Sequence, residues 1–162
     1  MGNSRGTEEA LLTWRVDATG PRTTVAFTGE IVEQADFQEL LVQLVGDLEI
    51  DLRGIRRINS AGAHRWVEFV RELPSAARLA FVHCSPAVVV QLNLIHGFLG
   101  RGAVLSFYAP YGCEQCDGQH LELLRTRDVR KPDWELPKVV CPGCGQSMAF
   151  DDDPARYFAF IR

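Results

Sequence analysis

Four of the five cysteines form two pairs with the same internal spacing. Cys113 and Cys116 make one Cys-x-x-Cys pair, and Cys141 and Cys144 make the other. Each pair places two thiolates on one tight turn, and two such turns supply the four soft ligands of a tetrahedral zinc site. Because all four ligands are thiolates, no position remains for water or substrate. The spacing predicts one structural Zn²⁺ ion in a zinc ribbon.

The residues around these cysteines fit the same interpretation. Gly112, Gly143 and Gly145 are expected to adopt positive φ angles in the turns. The 24 residues between the two pairs exceed the common interval of about 15–20, so we expect a hairpin or short helix at 121–126. His120 is a further candidate ligand, but four cysteines already complete the shell, and we interpret it as a surface residue.

The fifth cysteine, Cys84, lies beside the apolar residues 80–82. A reactive thiol needs an electropositive, partly exposed environment, and only His83 hints at one. We therefore expect Cys84 to be a small buried apolar residue.

The apolar pattern predicts the elements that carry these residues. Strands and helices alternate from residue 23 to residue 109, which predicts right-handed crossovers and an α/β fold with a mixed sheet. An earlier strand is expected to pair antiparallel as a hairpin. The predicted strands lie near 12–16, 23–27, 48–52, 79–84 and 103–109, with 55–58 leading into an exit loop, and the predicted helices run over 33–46, 60–73 and 85–97.

Ser60 is predicted to cap the second helix. A phosphate on this residue would meet free backbone N–H groups at the positive helix end, with Arg56, Arg57 and Arg65 near in sequence. Capping and regulatory phosphorylation both remain open at this point. Ser60 and His64 are four residues apart, but no orienting group or oxyanion element accompanies them, so a nucleophile and base are not indicated.

Three segments resemble the STAS domain, the family of bacterial anti-sigma factor antagonists and of the cytoplasmic tails of sulfate transporters. They are residues 27–31, 50–55 and 58–62, and the resemblance covers about residues 11–110. It implies a cytoplasmic, non-enzymatic module that binds a protein partner such as an anti-sigma factor or kinase-like regulator. It also implies phosphorylation at Ser60, with Asn59, Arg56, Arg57, His64 and Arg65 on the partner surface.

The sequence thus predicts four regions. They are a flexible segment at 1–10, a STAS-like domain at 11–110, a zinc ribbon at 111–150 and an aromatic helix at 151–162. Asp153 and Pro154 are typical of a helix start. The aromatic residues that follow must be covered, either by the chain itself or by a partner.

Charge and apolar runs exclude several classes of function. The formal net charge is −4 and the 117–140 insert has equal numbers of acidic and basic residues, which disfavours a nucleic-acid binder. A nucleic-acid-associated regulator acting through the ribbon stays as the alternative. No apolar run approaches the roughly 20 residues of a membrane span, and the first nine residues lack a secretory signal, so we expect a cytoplasmic protein. No acid, base and nucleophile set converges, so we do not expect an enzyme.

Overall fold

The computed structural model describes residues 11–130 and 133–161, and the predicted flexible segment at 1–10 lies outside these residues. The fold is mixed α/β, with two sheets.

Sheet A has the order β1-β2-β3-β4-β5 and sheet B the order β7-β6-β9-β8. The strands of sheet A are β1 Thr13–Asp17, β2 Thr23–Ile31, β3 Leu48–Ile58, β4 Leu79–Val82 and β5 Ala103–Val104. Those of sheet B are β6 Ser106–Gly112, β7 Gln119–Arg125, β8 Val139–Val140 and β9 Ser147–Phe150. The helices are α1 Gln38–Leu41, α2 Ser60–Glu72, α3 Pro86–Leu94 and α4 Pro154–Tyr157, with a 3-10 turn at Thr126–Asp128.

Sheet A confirms the predicted mixed sheet. β1 pairs antiparallel with β2, and β2 to β5 pair parallel in sequence order. Right-handed crossovers between strands in this order place α1, α2 and α3 on one face. Side chains of β2 and β3 alternate accordingly: Phe27 and Ile50 are buried, whereas Ala26 is exposed and Asp51 half-buried. The second face of sheet A is therefore open and polar.

Trp66 of α2 lies at the centre of the core of sheet A. Its side chain is fully buried, and its ring centroid lies 5.4 Å from that of Phe27 and 5.3 Å from that of Phe69. Edge-to-face and offset ring pairs at such distances add to the free energy of area burial. Further ring contacts within 6.5 Å involve Phe37, Phe81 and Phe98.

The prediction of a helix over 33–46 is wrong in length. Only Gln38–Leu41 is α-helical. Asp36 Oδ1 accepts a hydrogen bond from the Gln38 N–H at 3.0 Å, and i→i+3 hydrogen bonds follow the helix. One α-helical turn and a 3-10-type turn present the same stripe to the core, so apolar periodicity did not distinguish them from a long helix. The stripe itself is buried: Phe37, Leu40 and Leu44.

β2 and β3 are longer than predicted. β2 continues beyond residue 27 to Ile31, and residues 55–58, expected to lead into an exit loop, belong to β3. The two strands pair from Thr23 opposite Leu48 to Ile31 opposite Ile58, with two register irregularities. Backbone pairing with β2 thus keeps the extended conformation up to the start of α2.

The predicted capping role of Ser60 is wrong. Asn59 is the N-cap of α2, and its Oδ1 accepts a hydrogen bond from the Gly62 N–H at 2.8 Å. Ser60 is the first helical residue and is exposed. Asn59 and Ser60 both favour N-cap positions, so residue type alone could not assign the cap. The predicted helix 85–97 is confirmed at its start, because Ser85 caps α3 before Pro86.

The single strand predicted at 103–109 is divided between two sheets. β5 pairs with β4, whereas β6 pairs with β7 and β9. The predicted boundary at 110/111 lies inside β6. Residues 121–125 lie in β7, the second arm of a hairpin with β6.

The C-terminal segment packs on its own chain. Asp153 caps α4 by accepting hydrogen bonds from the N–H groups of Ala155 and Arg156. The helix ends at Tyr157, earlier than predicted. Tyr157 and Phe158 are buried, and Phe158 contacts the rings of Phe107, Trp134 and Phe150.

We predict that Asn59→Ala lowers the free energy of unfolding by about 1 kcal/mol, because the Gly62 N–H loses its acceptor. Ser60→Ala is the control and should change it by no more than about 0.5 kcal/mol, since its side chain caps nothing. Urea unfolding of both variants measures the difference. An equal loss in the two variants would contradict the assignment of the cap.

We also predict that Gly62→Ala destabilises the protein by about 1–3 kcal/mol. A Cβ atom at Gly62 would collide with the backbone of Ile31 and Val32, where α2 crosses the end of β2. Gly20→Ala is the matched control, because a Cβ atom there meets only the Arg22 carbonyl oxygen at 3.8 Å. Comparable unfolding midpoints for the two variants would show that α2 does not need this close approach.

Candidate metal centre

Two backbone turns bring the four cysteines together. The first follows β6: the Cys113 N–H donates to the Gly118 carbonyl at 2.9 Å. The second follows β8: the Cys141 N–H donates to the Gln146 carbonyl at 2.7 Å. The pairing of β9 with both β6 and β8 places the two turns against each other. The order of strands in sheet B therefore assembles the cluster.

The sulfur atoms have the separations that a metal ion requires. All four Sγ atoms lie within 4.8 Å of one another. Cys113 and Cys144 are 3.5 Å apart, and Cys116 and Cys141 are 3.6 Å apart. Thiolates on the corners of a tetrahedron with metal–sulfur distances of about 2.3 Å are separated by about 3.8 Å. The cluster could hold one metal ion.

Each turn has one residue with positive φ, directly after its second cysteine. These residues are Gly145, at +76°, and Asp117, at +54°. Asp is among the few residues other than glycine that tolerate this conformation. The expectation of positive φ is confirmed for Gly145 and wrong for Gly112 and Gly143.

Sequence reasoning missed Gly118 as part of the site. A Cβ atom on Gly118 would lie 3.2 Å from the sulfur of Cys116 and 3.3 Å from that of Cys141. Glycine at this position leaves room for the sulfur atoms and for a backbone N–H directed at Cys116. In the sequence, the only signal for Gly118 is its position two residues after Cys116, the second cysteine of the first pair.

Backbone N–H groups point at the sulfur atoms and favour thiolates. The N–H groups of Cys144 and Gly143 donate to Cys141 and lower the pKa of its thiol to about 7. The Gly118 N–H also lowers the pKa of Cys116, but hydrogen bonds with the neighbouring thiols outweigh it and raise that pKa to about 12. Four thiolates this close repel one another, so a cation is needed before all four can ionise.

Burial divides the cluster into an inner and an outer half. Cys113 and Cys141 are buried, and Cys116 and Cys144 are exposed. His120 is not part of the cluster, since its Nε2 lies 3.0 Å from Glu122 Oε2. Cys84 is also elsewhere: its side chain is fully buried, and burial together with the Asp51 charge raises its pKa to about 12. The expectation that Cys84 is a buried apolar residue is confirmed.

The predicted residues near Ser60 in sequence lie at the end of β3 and in the first turns of α2. Ser60, Arg56 and Arg65 are exposed, and none of their side chains has a hydrogen-bond or ion-pair partner within 11–130 and 133–161. Arg57 pairs with Glu30 at 2.8 Å, and His64 pairs with Glu68 at 3.2 Å.

A polar cluster on the open face of sheet A gave no sequence signal. His83 Nδ1 lies 2.9 Å from Asp51 Oδ2 and 3.1 Å from Arg53 Nη2. A protonated Nδ1 donates to Asp51, whereas an unprotonated Nδ1 accepts from Arg53. His83 has a positive φ of 52°, and its partners lie about 30 residues earlier in the chain, so only the folded sheet brings them together.

Comparison with protein-family models, with curated proteins and with solved structures gives no match for this chain. Within the described residues, no helix has the length and apolar character needed to cross a membrane.

We predict that the purified protein contains one metal ion per chain and that Cys141→Ser removes it. Cys141 is a buried member of the cluster, and a metal ion that ties two turns together contributes directly to folding. Elemental analysis measures the stoichiometry, and amide hydrogen exchange should show lost protection in the half of sheet B next to the cysteines but not in β1 to β4. Ser147→Ala, on the neighbouring strand, is the control and should keep the metal. Full folding of metal-free protein would contradict the prediction.

Proposed function

We propose that this chain is a non-enzymatic regulatory adaptor that binds a protein partner through the surface at the start of α2. Sheet A would act as a STAS-like domain, and the four-cysteine cluster would hold one structural zinc ion. Support for the first part comes from the order of elements: an antiparallel β1, then parallel strands in sequence order with helices on one face.

The observation that carries the proposal is that the Ser60 side chain is exposed and does not cap the helix. Its hydroxyl is exposed and takes no part in capping, because Asn59 caps the helix. The N–H groups of Ser60 and Ala61 have no acceptor among the described residues. A phosphate on Ser60 would meet these N–H groups at the positive end of a helix of 13 residues.

Two arginines near Ser60 in sequence also suit a phosphate. Arg56 and Arg65 have no partner in the described chain and are close in sequence, and Arg side chains bind phosphate with two parallel hydrogen bonds. Asn59 donates a hydrogen bond to Glu33 at 2.6 Å, which lowers the pKa of Glu33. Glu33 therefore adds a negative charge beside the cap, so the unmodified surface carries both signs.

Zinc is the metal that the donor set favours. Four thiolates in a tetrahedral arrangement are typical of structural zinc sites, and they leave no open coordination position for catalysis. The metal would then fix the two turns that end β6 and β8 and take no part in a reaction. Its role would be to hold sheet B as a rigid extension of sheet A.

The test is partner capture with Ser60 variants. We predict that Ser60→Asp changes partner affinity about tenfold or more by placing a charge at the surface, while the fold stays intact. Ser60→Ala should bind as the unmodified wild type does. Tagged protein is used as bait with and without nuclease, and captured proteins are identified by mass spectrometry and titrated by calorimetry.

Two outcomes would overturn the proposal. If both variants bind with wild-type affinity and intact-mass analysis finds no phosphate on protein from its native cells, Ser60 is not a switch. If nucleic acid alone is recovered, with affinity that falls steeply with salt, a nucleic-acid-associated regulator replaces the adaptor.

A further inference from the structure

β7 is the longest edge strand of the two described sheets. It forms one edge of sheet B, has seven residues, and contains no Pro, Gly or Lys. Apart from the hydrogen bonds of its ladder with β6, its backbone has no partner among the described residues. The other edge strands are shorter: β5 and β8 have two residues each, and β1 has five. Long free edges are templates for pairing with another strand.

The side chains of β7 divide between its two faces. Leu121 and Leu123 are 48% and 41% exposed on one face, opposite the half-buried Pro110 and Tyr108 of β6. His120 and Glu122 lie on the other face and pair at 3.0 Å. An incoming strand would therefore meet apolar side chains on one face and the His120–Glu122 pair on the other.

We propose that β7 pairs antiparallel with β7 of a second copy, centred on Leu121. A two-fold axis through Leu121 places Leu121 opposite itself and His120 opposite Glu122 on both sides. Opposite charges at directly facing positions stabilise a strand pair, and like charges destabilise it. The two four-stranded sheets then form one continuous sheet.

The charges of β7 select this register over its neighbours. An axis at Glu122 would place two carboxylates face to face. An axis at Leu123 would place Glu122 opposite Leu124 and Leu121 opposite Arg125. An axis at His120 would place two imidazoles face to face. Of these four axes, only the one at Leu121 places the His120 imidazole opposite the Glu122 carboxylate, and this complementarity within one strand identifies the occupant as a second copy.

This inference is independent of the proposed function, because it uses β7 and neither Ser60 nor its neighbours. Failure of the Ser60 experiment leaves it standing, and its own failure leaves the adaptor proposal standing.

The first test is the oligomeric state of metal-loaded protein, measured by analytical ultracentrifugation over a range of concentrations. We expect a dimer that Glu122→Lys weakens about tenfold or more, because His120 then loses the carboxylate that it faces across the pair. Adding His120→Glu to Glu122→Lys exchanges the two charges and should restore the dimer. Glu39→Lys, the same charge change on α1, is the control. A monomer at every concentration, or a dimer unaffected by Glu122→Lys, would overturn the inference.

The second test locates the axis by cross-linking. In this register Leu121→Cys faces its own copy and should form a covalent dimer under a mild oxidant. Leu123→Cys faces Gln119 of the second copy and lies about 13 Å from its own counterpart, so it should not cross-link. Metal-loaded wild type, whose other thiols are ligated or buried, is the blank. Equal cross-linking of the two variants would exclude the register centred on Leu121. A monomeric protein whose β7 pairs with a strand of another protein would exclude pairing with a second copy.

Discussion

The backbone pairing of Cys84 with Phe107 is the interaction on which the rest of the structure depends, because it joins sheet A to sheet B. The Cys84 N–H donates to the Ser106 carbonyl at 3.1 Å, and the Tyr108 N–H donates to the Cys84 carbonyl at 2.9 Å. Both paired side chains are fully buried. Buried backbone groups must be hydrogen-bonded, so the end of β4 cannot move away from β6 without a large loss of stability.

The C-terminal segment packs against this connection between the two sheets, on the side where α3 lies. The Tyr157 hydroxyl donates to the Tyr108 carbonyl at 2.6 Å, and the Asn93 amide donates to the Tyr157 carbonyl at 2.9 Å. Burial raises the pKa of Tyr157, so the hydroxyl keeps its proton and remains a donor. Phe158 and Phe160 pack against Phe107. The last described residues are therefore part of the core, which the sequence left open between the chain and a partner.

Local patterns predicted what depends on local geometry and failed where distant segments decide. Two Cys-x-x-Cys pairs indicated the four-cysteine cluster, and strand and helix alternation predicted the mixed sheet. The length of α1 was wrong because a single turn and a long helix bury the same stripe. The division of 103–109 followed from pairing with β4 on one side and β7 on the other, and no local signal encodes such pairing. The contact of His83 with Asp51 was missed for the same reason.

The four-cysteine cluster and the pairing of Cys84 with Phe107 hold opposite ends of β6. β6 is tied to β4 at Phe107, near its first residue, and Cys113 follows directly after its last. The buried side chains of sheet B belong to the same core as those of sheet A, but its last strands β8 and β9 are short, and short elements of this kind commonly rely on a metal or a disulfide to complete their stability. A metal ion bound at Cys113 would fix the far end of β6, and the hairpin partner β7 would keep its orientation through the β6 ladder. Loss of the metal would then free the outer half of sheet B while the Cys84 pairing kept its inner end in place.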